Sequence, residues 1–244
     1  MSESNHHPSG PLTVAVALAA AAGFADAHIY VNVTPIFVAN MSGNLIHLGI
    51  LVGDASWRAA VASLLTLAAF TAGVVVATVH LDRQVRRVRT LRPTPLLAAE
   101  AVLLVGLALW MSTTSIHFTS DPRPIDHPVL VVAGLAMGLQ AAALRRVGQV
   151  AVATTYGTGA IVRIGEKLVL AARRADRATE HRRRVAIAIL ALVLASYVAG
   201  AVVATVAGAD PRLLLLPGGV VAACALASRG RFRSPTESPE HVGS

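Results

Sequence analysis

What most constrains this chain is the alternation of charge-poor apolar stretches, several of them a membrane's thickness long, with short runs of arginine. Leu12 to about Val33, Ala59 to Leu81, Leu96 to Ser112, Val129 to Leu144, Val185 to Ala207 and Leu213 to Ala227 are apolar almost throughout. A helix of about 20 such residues crosses a hydrocarbon core of roughly 30 Å. With 55% hydrophobic and only 14% charged residues, and a mean hydropathy of +0.63, the chain carries more apolar surface than a soluble domain of its length can bury. In lipid every backbone polar group must be satisfied internally, which helices do. The fold class expected is therefore an all-α integral membrane protein, with the lipid bilayer as its first partner.

The net charge of +8 raises the question of nucleic acid. Its distribution argues against that partner. The basic residues are almost all arginines, gathered at 83–92, 173–184 and 229–233 between apolar segments. That is the signature of cytoplasmic loops, whereas a nucleic-acid interface needs a basic face on a soluble module with aromatics interleaved. Six spans place all three runs on one side; letting every apolar stretch cross, eight in all, would strand Arg83 to Arg92 outside. Both termini are then cytoplasmic. Cys224 is the single cysteine, so an intrachain disulfide and a cysteine-based metal site are excluded, and no cofactor or metal is expected. Residues 1–11 lack Lys and Arg and read as a disordered tail, as do 229–244, leaving 12–228 as a single membrane domain. The Ala- and Arg-rich, Lys-poor composition suggests a high-GC bacterium, hence a bacterial inner (plasma) membrane.

The chain also repeats. Phe70-Thr71-Ala72-Gly73 with Ala77 falls on Tyr197-Val198-Ala199-Gly200 with Ala204, a Gly-x3-Ala that lets helices approach closely. Gly23-Phe24-Ala25-Asp26 falls on Gly138-Leu139-Gln140-Ala141. Ser42-Gly43-Asn44-Leu45-Ile46 falls on Thr158-Gly159-Ala160-Ile161-Val162. Repeat one (12–112) and repeat two (129–227) each hold three spans, an odd number, so they are expected to sit with opposite topology. Each is expected to carry a re-entrant loop and half-helix, in the inverted-repeat plan of many transporters.

The polar knot Asn40-Met41-Ser42-Gly43-Asn44 lies inside an apolar stretch. A helix from Gly43 to Gly53 is only about 16 Å long, half a membrane, so its start belongs near the midplane. Thr154, Thr155, Thr158 and Gly159 open the matching segment from the other side. Two helix N-termini facing one volume favour an anion or polar neutral solute. The expected solute-binding set is Asp26, Asn40, Ser42, Gly43, Asn44, Gln140, Thr154, Thr155, Thr158 and Gly159. Asp26, an ionisable group within a span, has three roles open to it: coupling proton carrier, partner of Arg163, or cap for the loop backbone. Ser42, Gly43, Thr158 and Gly159 also read as packing residues and caps. Glu100 stands about one turn inside the third span.

Catalytic motifs are lacking: there is no Gly-x-Ser-x-Gly elbow, no His-Glu-x-x-His and no carboxylate cluster. An intramembrane hydrolase using Ser42 with His28 or His47 is one alternative; a non-transporting assembly or sensor protein is another, and homo-oligomerisation stays open. At Gly23-Phe24-Ala25-Asp26-Ala27, Asn40 to Leu45, Gly138-Leu139-Gln140 and Thr154 to Gly159 the sequence resembles the YoaK-like family of bacterial membrane proteins, a domain of unknown function. The resemblance runs from the first span to the sixth and implies a multi-pass inner-membrane protein. That family is expected to carry an Asn directly after the Gln, where this chain has Ala141.

Overall fold

The computed structural model describes residues 9–88, 92–114, 116–145, 157–172 and 177–228. Five helices among them are long and apolar enough to cross a membrane: α1 (Ser9–Asn32), α3 (Trp57–Val88), α4 (Thr94–Thr113), α5 (His127–Arg145) and α7 (Arg177–Ala207). Between them lie α2 (Met41–Gly53) and α6 (Gly157–Ala172), and α8 (Leu215–Ala227) closes the bundle behind a 3-10 turn, Pro211–Leu214. The last apolar segment, Pro211–Ala227, falls short of the 18 residues of the shortest long span.

Both α3 and α7 run well beyond their apolar parts, into Arg83, Arg86 and Arg87 and back to Arg177. Hydropathy marks where lipid contact ends, but backbone hydrogen bonding does not stop there. Arginine is a good helix former, and the pairs Arg86 to Asp82 (2.9 Å) and Arg184 to Glu180 link successive turns.

Packing is led by two crossings. α1 lies along α7 and α3 along α5; α2 rests on α3 and α6 on α7; α4 packs on α5 and α8, and α8 on α1. Glycines set the two main crossings. A Cβ on Gly23 would sit 2.0 Å from the Tyr197 carbonyl oxygen, and one on Gly200 the same 2.0 Å from that of Ala20. At the other crossing Gly138 would meet the Phe70 oxygen at 2.1 Å and Gly73 the Leu135 oxygen at 2.3 Å. No side-chain carbon tolerates such a distance, so backbone meets backbone only where the side chain is missing.

Leu18, Ile29, Leu97, Leu104, Leu130 and Met137 fill the centre of the bundle. Val198, Val202, Val203 and Val206 of α7 point outward, as apolar residues can where the surroundings are lipid rather than water. The N-terminal ends of α1 and α4 meet the C-terminal ends of α5 and α8 around one small cavity. Arg-rich sequence adjoins that end of the molecule, before α4 and after α8.

Candidate functional site

The site is built on the segment between α1 and α2. α1 stops where the N–H groups of Val33 and Thr34 both turn back to the Ile29 carbonyl (2.9 and 3.1 Å). Residues 35–39 then run back along α1 without a helical ladder, and their backbone needs other partners. Asp26 supplies them: its Oδ1 accepts from the amides of Val38 (2.6 Å) and Ala39 (2.8 Å), while the Tyr197 hydroxyl of α7 donates to Oδ2. Asp26 lies six residues before the end of α1, so the segment is held about 9 Å below that end.

Asn44 is the second anchor. Its Oδ1 accepts from the Phe37 amide (2.9 Å) and its Nδ2 donates to the Phe37 carbonyl (2.5 Å), so one side chain replaces a neighbouring strand. Ser63 of α3 donates to the Asn44 carbonyl (3.3 Å) and ties this turn to the bundle. The Phe37 ring stacks on Tyr30 with centroids 4.3 Å apart. Asn40 is the N-cap of α2: its Oδ1 accepts from Ser42 Oγ (3.0 Å) and from the Gly43 amide (3.5 Å). Gly43 is small for a reason on the page, since a Cβ there would lie 3.0 Å from Asn40 Nδ2 and 3.1 Å from the Phe37 ring.

Five of the expected site residues thus come together: Asp26, Asn40, Ser42, Gly43 and Asn44. Their work is unequal. Asp26 and Asn44 are buried and occupied by the loop backbone, and of Asp26's three open roles, capping is the one its hydrogen bonds display. Ser42 is exposed beside the first turn of α2. Gln140 stands apart, fully buried in α5, where its Nε2 donates to the Leu18 carbonyl of α1 (2.7 Å) and joins the two helices. Thr154 and Thr155 lie outside the described residues. Thr158 and Gly159 fall in the first turn of α6, which packs on α7 while α2 packs on α3.

His28 is buried, stacked on Phe24 (6.0 Å), with Nδ1 against Asn32 Nδ2 (3.3 Å). Among the described residues no hydrogen bond joins Ser42 to His28 or His47, and none of the His, Cys, Asp and Glu side chains gather in threes as a metal ion requires. Two residues escaped the sequence reading of the site. Tyr197 was visible only as the match of Phe70 in the repeat; the signal was its hydroxyl, which a buried tyrosine must satisfy. Glu100 was visible as a charge inside a span, and it lies fully buried between α4 and its neighbours.

Several long apolar helices closed around buried polar anchors define a multi-pass α-helical membrane protein. More narrowly, the chain belongs to the family described as "Protein of unknown function (DUF1275)", which matches residues 14–227. It is similar to the UPF0700 transmembrane protein YoaK of Bacillus subtilis (strain 168), with 27% identity over 147 residues, 60% of this chain and 62% of that protein. The match therefore spans less than two thirds of that relative's length. No solved structure matches the chain.

Proposed function

We propose that this domain is an inverted-repeat transporter or channel that passes a small anionic or polar solute across the bacterial inner membrane, with both termini and the Arg-rich end in the cytoplasm. The observation that carries the reading is the segment at 35–40, held below the end of α1 by Asp26 of one repeat, to which Tyr197 of the other donates. Non-helical backbone at membrane depth is tolerated only where protein or a cavity satisfies it. Its consequence is a helix start inside the membrane, with the partial positive charge of the α2 N-terminus and the exposed Ser42 hydroxyl beside it.

The packing supports the duplication. Relabelling α1, α2, α3 and α4 as α5, α6, α7 and α8, and the reverse, turns α1 on α7 into α5 on α3, α2 on α3 into α6 on α7, and α1 on α8 into α5 on α4. The α4 and α8 pair maps onto itself. In this reading Thr154, Thr155, Thr158 and Gly159 form the counterpart of the Asn40 to Asn44 turn, Pro211–Ala227 is the sixth span, and Gln140 lies on the cytoplasmic side.

The test is flux in liposomes holding the purified protein, against empty liposomes, for chloride, formate, phosphate, urea and glycerol. One solute class should cross faster, and Ser42→Leu, confirmed as folded by its melting curve, should slow it. If none of these crosses or raises the melting temperature, the transport reading fails.

A further inference from the structure

We infer that Glu100 is a proton-binding site within the helix bundle, one helical turn inward from the small cavity at the Arg-rich end of the molecule. Glu100 is the only ionisable residue of α4. It is fully buried, and among the described residues neither carboxyl oxygen has a hydrogen-bond partner.

Among the described residues, the elements packed against α4 offer it no counter-charge. α5 has no ionisable side chain between His127 and Arg145 at its two ends. α8 presents Cys224, a buried thiol close enough to interact electrostatically with Glu100. The turn at Pro211–Leu214 brings Arg212, but to the opposite end of α4. On α1, which packs on α5 and α8, Asp26 is occupied by the loop and His28 lies farther along the helix. A bare carboxylate in such surroundings carries a heavy desolvation cost that no described residue offsets.

The polar atoms left over match a single missing donor. Gln140 uses its Nε2 on the Leu18 carbonyl at 2.7 Å, and its Oε1 has no partner among the described residues. Three buried acceptors, Glu100 Oε1, Glu100 Oε2 and Gln140 Oε1, therefore lack a hydrogen among the described residues. A proton on Glu100 removes the charge and converts one carboxyl oxygen into a donor, for which a carboxamide oxygen is a suitable acceptor.

The helices lead to these groups from one cavity. Leu18, Leu97, Leu144 and Ser228 line a common cavity at the Arg-rich end. Glu100 is one turn inward from Leu97 on α4, Gln140 one turn inward from Leu144 on α5, and Cys224 one turn inward from Ser228 on α8. Leu18 belongs to both descriptions, as a wall of the cavity and as the acceptor for Gln140. The cavity is small and its walls are apolar. A single turn lies between Glu100 and this cavity, and less than two turns between Glu100 and the first residue of α4, Thr94. The inference does not depend on whether the domain carries a solute.

The test uses the full-length protein in liposomes at neutral pH with dicyclohexylcarbodiimide. This hydrophobic reagent takes up a carboxylic acid across its C=N bond: the carboxyl oxygen bonds to the central carbon and the acid proton passes to nitrogen. Reaction therefore needs a protonated carboxyl in apolar surroundings. Peptide mass spectrometry should find the adduct at Glu100, unaffected by sodium or potassium, and its loss in Glu100→Gln. No adduct at Glu100 would overturn the inference, and so would an adduct suppressed by either ion, which would make the site one for a metal cation. A second readout does not depend on Glu100→Gln folding. A carboxylic C=O infrared band that shifts in D2O and survives Asp26→Asn is expected, and its absence also overturns the assignment.

Discussion

Replacing Asp26 with alanine removes one acceptor group from three donors at once: the amides of Val38 and Ala39, at 2.6 and 2.8 Å, and the Tyr197 hydroxyl. Both loop residues are almost wholly buried, at 0% and 1% exposure, so bulk water does not replace the lost carboxylate. A buried donor left unpaired costs roughly 1–3 kcal/mol, and two amides bring the loss to about 2–6 kcal/mol before the more adaptable hydroxyl is counted. For a chain of this size about 1 kcal/mol moves Tm by roughly 2–4 °C, so even the lower bound predicts a fall of about 4–8 °C. Asp26→Asn keeps one acceptor oxygen for the two amides and should lose less. Tyr197→Phe removes only the third bond and should lose least, about 1 kcal/mol. Melting curves in detergent measure that order. The position of the loop is read separately by thiol labelling of Val38→Cys in a Cys224→Ala background, protected with Asp26 present and rapid in the double variant with Asp26→Ala. If Asp26→Ala melts within about 1 °C of the parent, well inside the shift expected for a single kcal/mol, and Val38→Cys stays protected, the clamp does not exist.

The glycine crossings make a controlled set. Alanine at Gly23, Gly73, Gly138 or Gly200 puts a Cβ 2.0–2.3 Å from a carbonyl oxygen and should cost about 1–3 kcal/mol through forced backbone movement; alanine at Gly106 or Gly219, with nothing within 4 Å, should be neutral or slightly stabilising. Equal losses in both groups, measured by thermal melting, would remove the close-packing argument. Asn44→Ala breaks both bonds to Phe37 and should destabilise by about 1–3 kcal/mol; Asn44→Asp should cost at least as much, because its second oxygen would face the Phe37 carbonyl in a fully buried place, and a melt equal to the parent's for either variant contradicts that account. Single cysteines at Asp54 and Arg87, at opposite ends of the α2 to α3 unit, should label from opposite sides of a sealed vesicle, and labelling from the same side would sink the topology.

How much was legible beforehand can be judged residue by residue. The spans were readable because hydrocarbon imposes a length and a composition on any helix that crosses it, and their centres agree with α1, α3, α4, α5 and α7. Their ends were less so, since α3 and α7 continue as helix into arginines that lipid does not hold. The short helix after the polar knot was also readable, from Asn40, Ser42 and Gly43 before an apolar run, and it begins within two residues of the expected start.

By itself the sequence determined that this chain is a multi-pass α-helical membrane protein and where its five long apolar helices lie. Those properties depend on composition and on spacing along the chain, both local quantities. Only the tertiary structure decided who touches whom. Gly23 matches Gly138 in sequence yet packs against Tyr197, and Gly73 matches Gly200 yet packs against Leu135 and Gly138. Asp26 meets Tyr197 across 171 positions, and Gln140 meets Leu18 across 122. Such partners are chosen by how helices cross, and a hydrogen bond of a few ångströms depends on that geometry rather than on the order of residues. The same geometry left Glu100 without a donor, and that is where the chain departs furthest from what its apolar third span implied.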